Sequence, residues 1–494
     1  MRPSPETLFA AIAARGDAVV LRDGVCELSG TQVMDEVEAR ATRLKMLECR
    51  RAALALDNGI GWVLWDLALL RAACVCVPLP GFFSAGQQRH AIDSAGVDTL
   101  LCDDPAPWLA HGFMQVGDGL ARRSLSDAPT LPPGTLKITY TSGTTGQPKG
   151  VCLGGEALFA VANSIREATA PCGVERHLCV LPLAVLLENV AGVYAPLLAG
   201  AEVVLPALDE VGFSGTALDV PRFVATLTRH APHSLILMPQ LLQVLVTAAG
   251  QGVLLRSFLR FVAVGGARVS PDLLRRAEAA GLPVCEGYGL SECASVVCLN
   301  TPAARRVGTV GRPLPHCALR IDDSGEVWVR GLHMLGYVGE PPLAAEWVPT
   351  GDLGRIEDGF LELRGRRKHQ FITAWGRNVS PEWVEAELTA RTPVAQAWLY
   401  GEALPENVAV LVPRSAEVSD AELAAAVAAV NAGLPDYLRA HRWLRAETPF
   451  TAANGLATAN GRWRRDALLA HYLPAIERLF ARAPLAATST GEPA

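Results

Sequence analysis

The sequence predicts an α/β protein: a large N-terminal domain of helix-covered β-sheets, then a small α+β C-terminal domain. Over the first 200 or so residues, short apolar segments alternate with helical ones, the β-α-β pattern of sheets covered by helices. Beyond about residue 315 the texture changes to half-exposed strands of period two. The chain has 494 residues, half of them hydrophobic and 19% charged. That is a globular composition with enough length for more than one core.

In chain order, residues 52–56 read as a buried strand, 61–73 as a helix and 74–78 as the next strand. Residues 87–95 are helical and 97–102 a strand. The alternation resumes with a strand at 202–206, a helix near 221–229 and strands at 234–238 and 261–264. Residues 326–330 and 360–364 alternate as half-exposed strands. A helix starting near Pro381, strands at 395–400 and 408–412 and a helix at 420–431 complete the pattern. The expected division is 1–367 for the large domain, 368–482 for the small one and 483–494 for a flexible tail. No internal repeat of fixed period is present.

Bulk properties narrow the function classes. The net charge of −6 lacks the basic footprint of a nucleic-acid binder. Residues 1–6 have no apolar core behind a basic start, so no signal peptide is expected. The uncharged stretch 233–255 is interrupted by Pro239, Gly250, Gly252 and three glutamines, which favours a buried helix with loops over a membrane span. The 12 cysteines show no metal-like Cys-x-x-Cys pairing. They are expected to be mostly small core residues of a reduced, cytoplasmic protein. Among 44 basic residues only Lys45, Lys137, Lys149 and Lys368 are lysines.

The strongest chemical signal is residues 138–151, Ile-Thr-Tyr-Thr-Ser-Gly-Thr-Thr-Gly-Gln-Pro-Lys-Gly-Val. Two apolar strands flank a loop of glycines and hydroxyls that ends in one lysine. Gly143 and Gly146 let a backbone approach polyphosphate closely. Thr141, Ser142, Thr144 and Thr145 add hydroxyl donors, and Lys149 adds a cation. The Gly-Lys-Ser/Thr ending of a Walker loop is missing.

This loop closely resembles the phosphate-binding loop of the superfamily of acyl-CoA synthetases, peptide-synthetase adenylation domains and firefly luciferase. Four further segments match in the family's order. Residues 286–292, Glu-Gly-Tyr-Gly-Leu-Ser-Glu, resemble the adenine and magnesium segment. The resemblance gives Glu286, Gly287, Tyr288 and Ser291 to the nucleotide and Glu292 to Mg²⁺, with Ser291 where threonine is usual. Residues 349–354, Pro-Thr-Gly-Asp-Leu-Gly, resemble the ribose segment, where Asp352 could accept both ribose hydroxyls. Residues 365–381 resemble the hinge segment, which implies that Arg366 contacts the nucleotide, Lys368 is the pivot of a mobile small domain, and Gly376 lies near the acceptor tunnel. Gly265, Gly266 and Ala267 resemble the wall between nucleotide and acyl pocket. The implied acyl pocket is Val185, Leu237, Met238, Ala267 and Cys293.

Two positions depart from the family. Members usually carry a catalytic lysine near the C-terminus, and similar segments place it at Arg462, within Asn-Gly-Leu-Ala-Thr-Ala-Asn-Gly-Arg-Trp-Arg-Arg-Asp at 454–466. No lysine follows Lys368. Either Arg462 takes the role, although a planar guanidinium is no simple substitute for an ammonium, or adenylation is slow or assisted. A binding-only relative is the third alternative. The segment 181–189, Leu-Pro-Leu-Ala-Val-Leu-Leu-Glu-Asn, has Val185 where histidine or an aromatic is common. That either opens the acyl pocket or makes Val185 a plain helix-core residue.

The resemblance implies an ATP- and Mg²⁺-dependent enzyme that activates an organic, hydrophobic carboxylic acid as its adenylate. The expected acceptor is a thiol, of coenzyme A or of a carrier-protein phosphopantetheine. The alternative is an amine or other non-thiol nucleophile. No nucleic-acid partner and no membrane span are expected, and a homodimer stays open.

Overall fold

The computed structural model describes residues 4–125, 127–141, 148–214, 217–252, 258–458 and 461–481. The expected tail at 483–494 and most of the phosphate loop, Ser142 to Gln147, lie outside the described residues. The chain divides into two compact units, Met1–Arg364 and Gly365–Ala494.

Among the described residues, the first unit is built on an eight-, a nine- and a four-stranded sheet. The predicted β-α-β alternation forms within one or two residues at each end: strand Arg51–Ala55, helix Ile60–Arg71, strand Val75–Pro78, helix Ala85–Ser94, strand Thr99–Cys102. The strands Arg51–Ala55, Val75–Pro78 and Thr99–Cys102 are mutually parallel through the first of them. The helix Ile60–Arg71 buries nine of its residues, so apolar side chains cover it nearly all round, as a helix enclosed between layers requires. In the second sheet, Arg176–Leu178, Ser234–Leu237, Phe261–Val264 and Val284–Leu290 run parallel side by side. The uncharged stretch near 240 forms the helix Pro239–Gly250. Among the described residues, no helix is long and apolar enough to cross a membrane.

The phosphate-loop hairpin belongs to the eight-stranded sheet. Strand Thr135–Thr141 pairs antiparallel with Lys149–Gly154, with Thr141 opposite Lys149 and Tyr140 opposite Gly150. A charged group anchors this strand from below. Lys137 is fully buried. Its ammonium donates to Asp66 Oδ1 at 2.8 Å and Tyr194 Oη at 3.0 Å, and also to Asn189 Oδ1. Tyr194 and Asn189 in turn donate to Asp66 Oδ2 at 2.6 and 3.0 Å. Three elements meet there: the hairpin strand, the helix Ile60–Arg71 and a π-helix at Glu188–Tyr194. Nothing in the sequence reading singled Lys137 out as structural. The segment 181–189 is not an ordinary core helix either. Val185 sits in a turn, its N–H on the Pro182 carbonyl at 2.9 Å, just ahead of the π-helix.

In the second unit, Val394–Tyr400, Asn407–Pro413 and Ala440–Arg445 form a three-stranded sheet. It is covered by the helices Pro381–Thr389 and Asp420–Asn431. Ser419 caps the latter with Glu422 reciprocating, which fixes the helix start. The C-terminal helix Arg465–Ala481 is tied down by a bidentate pair, Arg465 Nη1 and Nη2 on the two Glu385 oxygens at 2.9 and 2.6 Å. The cysteines are free, and most are buried as expected; Cys26 is the exposed exception.

The buried ion pair gives a test of the fold. Removing one partner of such a pair strands the other charge and costs about 3–5 kcal/mol, whereas replacing both with apolar groups is often near neutral. Lys137→Ala is therefore expected to lower the first urea transition by that amount. The Lys137→Met, Asp66→Leu double variant should recover most of it.

Candidate active site

The candidate site of the first unit draws on strands of all three sheets. The eight-stranded sheet contributes the two ends of the phosphate loop. Tyr140 Oη lies 2.7 Å from Ser94 Oγ, and the His90 ring donates to the Pro148 carbonyl at 3.0 Å. Both partners come from the helix Ala85–Ser94. Lys149, at the start of its strand, is exposed on this edge. Gly150 is required beside it, because a Cβ there would come within 2.7 Å of Val338 and 2.9 Å of Tyr140. The closeness lets the short strand Gly336–Tyr337 pair with the hairpin, Tyr337 opposite Val151.

Tyr337 joins two of the expected site residues. The Lys149 ammonium lies 5.1 Å from the Tyr337 ring centre, a cation–π distance, and 3.7 Å from Glu340 Oε1. The Tyr337 hydroxyl donates to Glu292 Oε1 at 3.1 Å. Burial and the Glu292 charge hold the phenol well above its ordinary pKa, so it remains a proton donor. The Met334 N–H donates to the Glu292 carbonyl at 2.7 Å, fixing that turn from the backbone.

The nine-stranded sheet contributes Val284–Leu290 and the 3₁₀ turn Ser291–Cys293. Gly289 has no alternative, since a Cβ there would lie 1.7 Å from the Ser295 carbonyl oxygen. The four-stranded sheet contributes Asp352, which is buried. Tyr288 donates to Asp352 Oδ2 at 2.6 Å, so the expected adenine and ribose residues touch. The Thr350 hydroxyl accepts from the Asp352 N–H at 3.1 Å. Gly351 has φ +72°, a conformation that glycine adopts freely.

The remaining predicted residues are placed less uniformly. Glu286 is buried, and burial pushes its acid up to about 8 against the pull of nearby Arg268. A side chain that is neutral near pH 7 would not repel a triphosphate. Gly287 and Ser291 are half-buried, and Thr141 is half-buried at the loop mouth. Gly266, with φ +80°, leaves no room for a Cβ beside the Met238 sulfur at 2.9 Å, and Ala267 next to it is exposed. The five acyl-pocket candidates differ in burial, with Val185 and Met238 half-buried and Ala267 exposed. Leu237 is sealed in the core around the nine-stranded sheet, with Met238 packed against it. Cys293 is sealed in a separate cluster with Val297, Val327 and Leu361. Both core positions follow from the side chains' burial in strand and turn.

In the second unit, Arg366 is half-buried and Lys368 is exposed in the 3₁₀ turn Arg367–His369. Gly376, with φ +69°, is exposed in the turn between Phe371–Ile372 and Asn378–Val379. Arg462 is exposed on a loop closed by the bridge between Ala457 and Trp463. Its N–H donates to Thr458 Oγ1 at 3.0 Å.

Tyr337 escaped the sequence reading because Gly336–Tyr337 is too short for a periodic signal. Only its pairing with the hairpin brings it to Glu292.

These features define a class: an α/β enzyme with a glycine- and hydroxyl-rich hairpin, an acidic turn and a buried ribose-type aspartate on three adjoining sheet edges. The family model described as AMP-binding enzyme matches residues 8–338, and the chain belongs to that family. Among curated relatives, the long-chain-fatty-acid–CoA ligase of Mycobacterium bovis is 28% identical, the match covering 78% of this chain and 77% of the relative. The indoleacetate–CoA ligase of Aromatoleum aromaticum is 31% identical over 65% of this chain and 66% of its own. Two solved structures share the fold over nearly the full length. An anthranilate CoA ligase in complex with anthranoyl-AMP has a TM-score of 0.79 at 19% identity, covering 96% of this chain and 98% of its own. The o-succinylbenzoate CoA synthetase of Bacillus subtilis with its acyl-adenylate has a TM-score of 0.77 at 22% identity, covering 95% and 98%.

A hydrogen bond to a charged group contributes about 1.5–3 kcal/mol. Tyr337→Phe is therefore expected to raise the half-saturating Mg²⁺ concentration for turnover by roughly ten-fold or more. Superimposable magnesium titrations of variant and parent would show that Tyr337 does not position Glu292.

Proposed function

We propose that this chain activates a carboxylic acid with ATP, forming an acyl-adenylate and pyrophosphate, and then transfers the acyl group to the thiol of coenzyme A. The observation that supports it most is the chain of contacts from Lys149 through Tyr337 to Glu292, and from Tyr288 to Asp352. It supplies a phosphate cation, a metal carboxylate, a base platform and a ribose acceptor within one unit. The two curated relatives above are named as acid–CoA ligases, which points the same way.

A carboxylate is a poor electrophile because its charge repels nucleophiles. Its oxygen attacks the α-phosphorus, the bond to the bridging oxygen of pyrophosphate breaks, and a mixed anhydride with AMP results. The chain's residues hold the reactants for that displacement. Tyr288 offers a flat face to adenine, Asp352 accepts the ribose hydroxyls, and Lys149 with the loop donors carries the charge of the departing pyrophosphate. Glu292 offers hard carboxylate oxygens of the kind Mg²⁺ prefers. The ion would supply neutralisation of phosphate charge when bound.

Arg462 is read as the cation that meets the acid's carboxylate and the α-phosphate. Lys368 is the pivot that retires it before thiol attack, and Gly376 borders the thiol's approach. The acid is hydrophobic, with Val185, Leu237, Met238, Ala267 and Cys293 as the candidate lining. A carrier-protein phosphopantetheine is the alternative thiol, and a homodimer the alternative to a monomer.

Acid-dependent release of pyrophosphate from ATP tests the first half-reaction, and thioester detection with coenzyme A tests the second. Pyrophosphate release without thioester, but with an amide when an amine is supplied, would reassign the acceptor. Lys149→Ala is expected to slow pyrophosphate release by about ten-fold or more, the scale of a lost phosphate contact; unchanged turnover would remove Lys149 from that role. Arg462→Lys is expected to change the adenylation rate while leaving thioester transfer from preformed adenylate intact. Equal adenylation rates in both proteins would take Arg462 out of the active site.

A further inference from the structure

The catalytic reading leaves one buried polar cluster unused. His177 lies on the strand Arg176–Leu178, and Cys179 follows two residues on, so strand alternation sends both side chains to the same face. Glu188 opens the π-helix Glu188–Tyr194, an element frequent at functional sites. One ligand-type atom from each of the three lies within 4.8 Å of the others. All three side chains are buried, His177 at 3% exposure and Glu188 at 0%.

His177 Nε2 and both Glu188 carboxyl oxygens form no well-shaped hydrogen bond among the described residues. Gly192 clears the space between them. A Cβ there would lie 3.0 Å from His177 Nε2 and 3.2 Å from Glu188 Oε1. The Gly192 carbonyl oxygen is 3.5 Å from Cys179 Sγ. On the far side of the imidazole, Nδ1 lies 2.8 Å from Ser234 Oγ. With that hydroxyl as acceptor the proton sits on Nδ1, and the Nε2 lone pair faces the cluster. Metal-binding histidines are commonly oriented this way by a second hydrogen bond.

The Cys179 thiol and the Val180 and Leu181 backbone lie close enough to the Glu188 carboxyl to act as weak hydrogen-bond partners, but His177 Nε2 has none among the described residues. An unsatisfied buried polar group costs about 1–3 kcal/mol, so the cluster calls for a shared partner. Protons are one answer. Burial pushes the Glu188 acid up to about 8, although Cys179 and the nearby Val180 and Leu181 backbone pull it down. A divalent cation answers more of the geometry. It would neutralise one thiolate and one carboxylate together, accept the imidazole lone pair, and have a backbone carbonyl within reach. Nitrogen, sulfur and oxygen in a four-ligand set suit zinc rather than magnesium.

We propose that His177, Cys179 and Glu188, with the Gly192 carbonyl beside them, form an enclosed structural site for a divalent transition-metal ion of the zinc class. The site is distinct from the Mg²⁺ carboxylate Glu292. It joins the strand before the 181–187 turn to the π-helix that also carries Asn189. Being enclosed, it is filled as the chain folds, in the manner of structural metal sites.

The test uses the whole protein, produced with zinc supplied and freed of loosely held metal by a mild chelator, without nucleotide. Elemental analysis is expected to find about one zinc per chain, the stoichiometry of one closed site. Protein refolded in cobalt should show a thiolate-to-cobalt charge-transfer band. Cys179→Ser should abolish that band, and Glu188→Gln should lower the retained zinc several-fold while Glu292→Gln leaves it unchanged. Absence of stoichiometric metal in the parent protein overturns the proposal, and needs no variant to fold. So does a cobalt band or zinc content that survives Cys179→Ser. Either result would leave a proton-sharing histidine–glutamic acid pair in the core.

Discussion

The register of the phosphate-loop hairpin is the constraint on which the rest of the site depends. With Thr141 set opposite Lys149, the two ends of a glycine- and hydroxyl-rich loop leave one sheet edge together. A slip by one residue would turn every side chain of that strand, Lys149 included, to the opposite face, because strand side chains alternate. Two features resist such a slip. The buried Lys137 ammonium locks the strand to Asp66, Tyr194 and Asn189 beneath it. Above, Gly150 alone leaves room for Val338 and for the short strand that brings Tyr337.

From that edge the site extends by contact rather than by sequence. Tyr337 links the Lys149 cation to the Glu292 carboxylate, and Tyr288, four residues before Glu292, reaches Asp352 on a third sheet. In the proposed function, each sheet supplies one kind of chemistry: phosphate charge, metal and base recognition, or ribose recognition. Loops that carry function on a rigid scaffold are the usual division of labour.

Much of this was legible in the sequence. The β-α-β alternation was readable because buried strands and enclosed helices have different lengths and periods, and the helix Asp420–Asn431 was found to the residue. The motifs at 138–151, 286–292 and 349–354 stood out because such runs of glycine, hydroxyl and carboxylate are rare in plain turns, and the fold brings Tyr288 of the second onto Asp352 of the third. Other features were invisible for physical reasons. Lys137 looks like any strand lysine until Asp66, 71 residues away, is folded against it. Tyr337 lies on a two-residue strand with no period to detect. Cys293 and Leu237, expected in the pocket by resemblance, are each buried, in two different hydrophobic clusters that no local pattern announces. His177 and Cys179 drew no attention in the sequence, because Glu188 is brought beside them only by the π-helix.

The central claim is that the hairpin and its neighbours grip a nucleotide by its phosphates. Isothermal calorimetry of the full chain with ATP and Mg²⁺ tests it most directly, without knowledge of the acid. The expected result is saturable binding that pyrophosphate competes away and that Lys149→Ala weakens. Absence of any ATP affinity in the presence of magnesium, or binding indifferent to pyrophosphate, would contradict it.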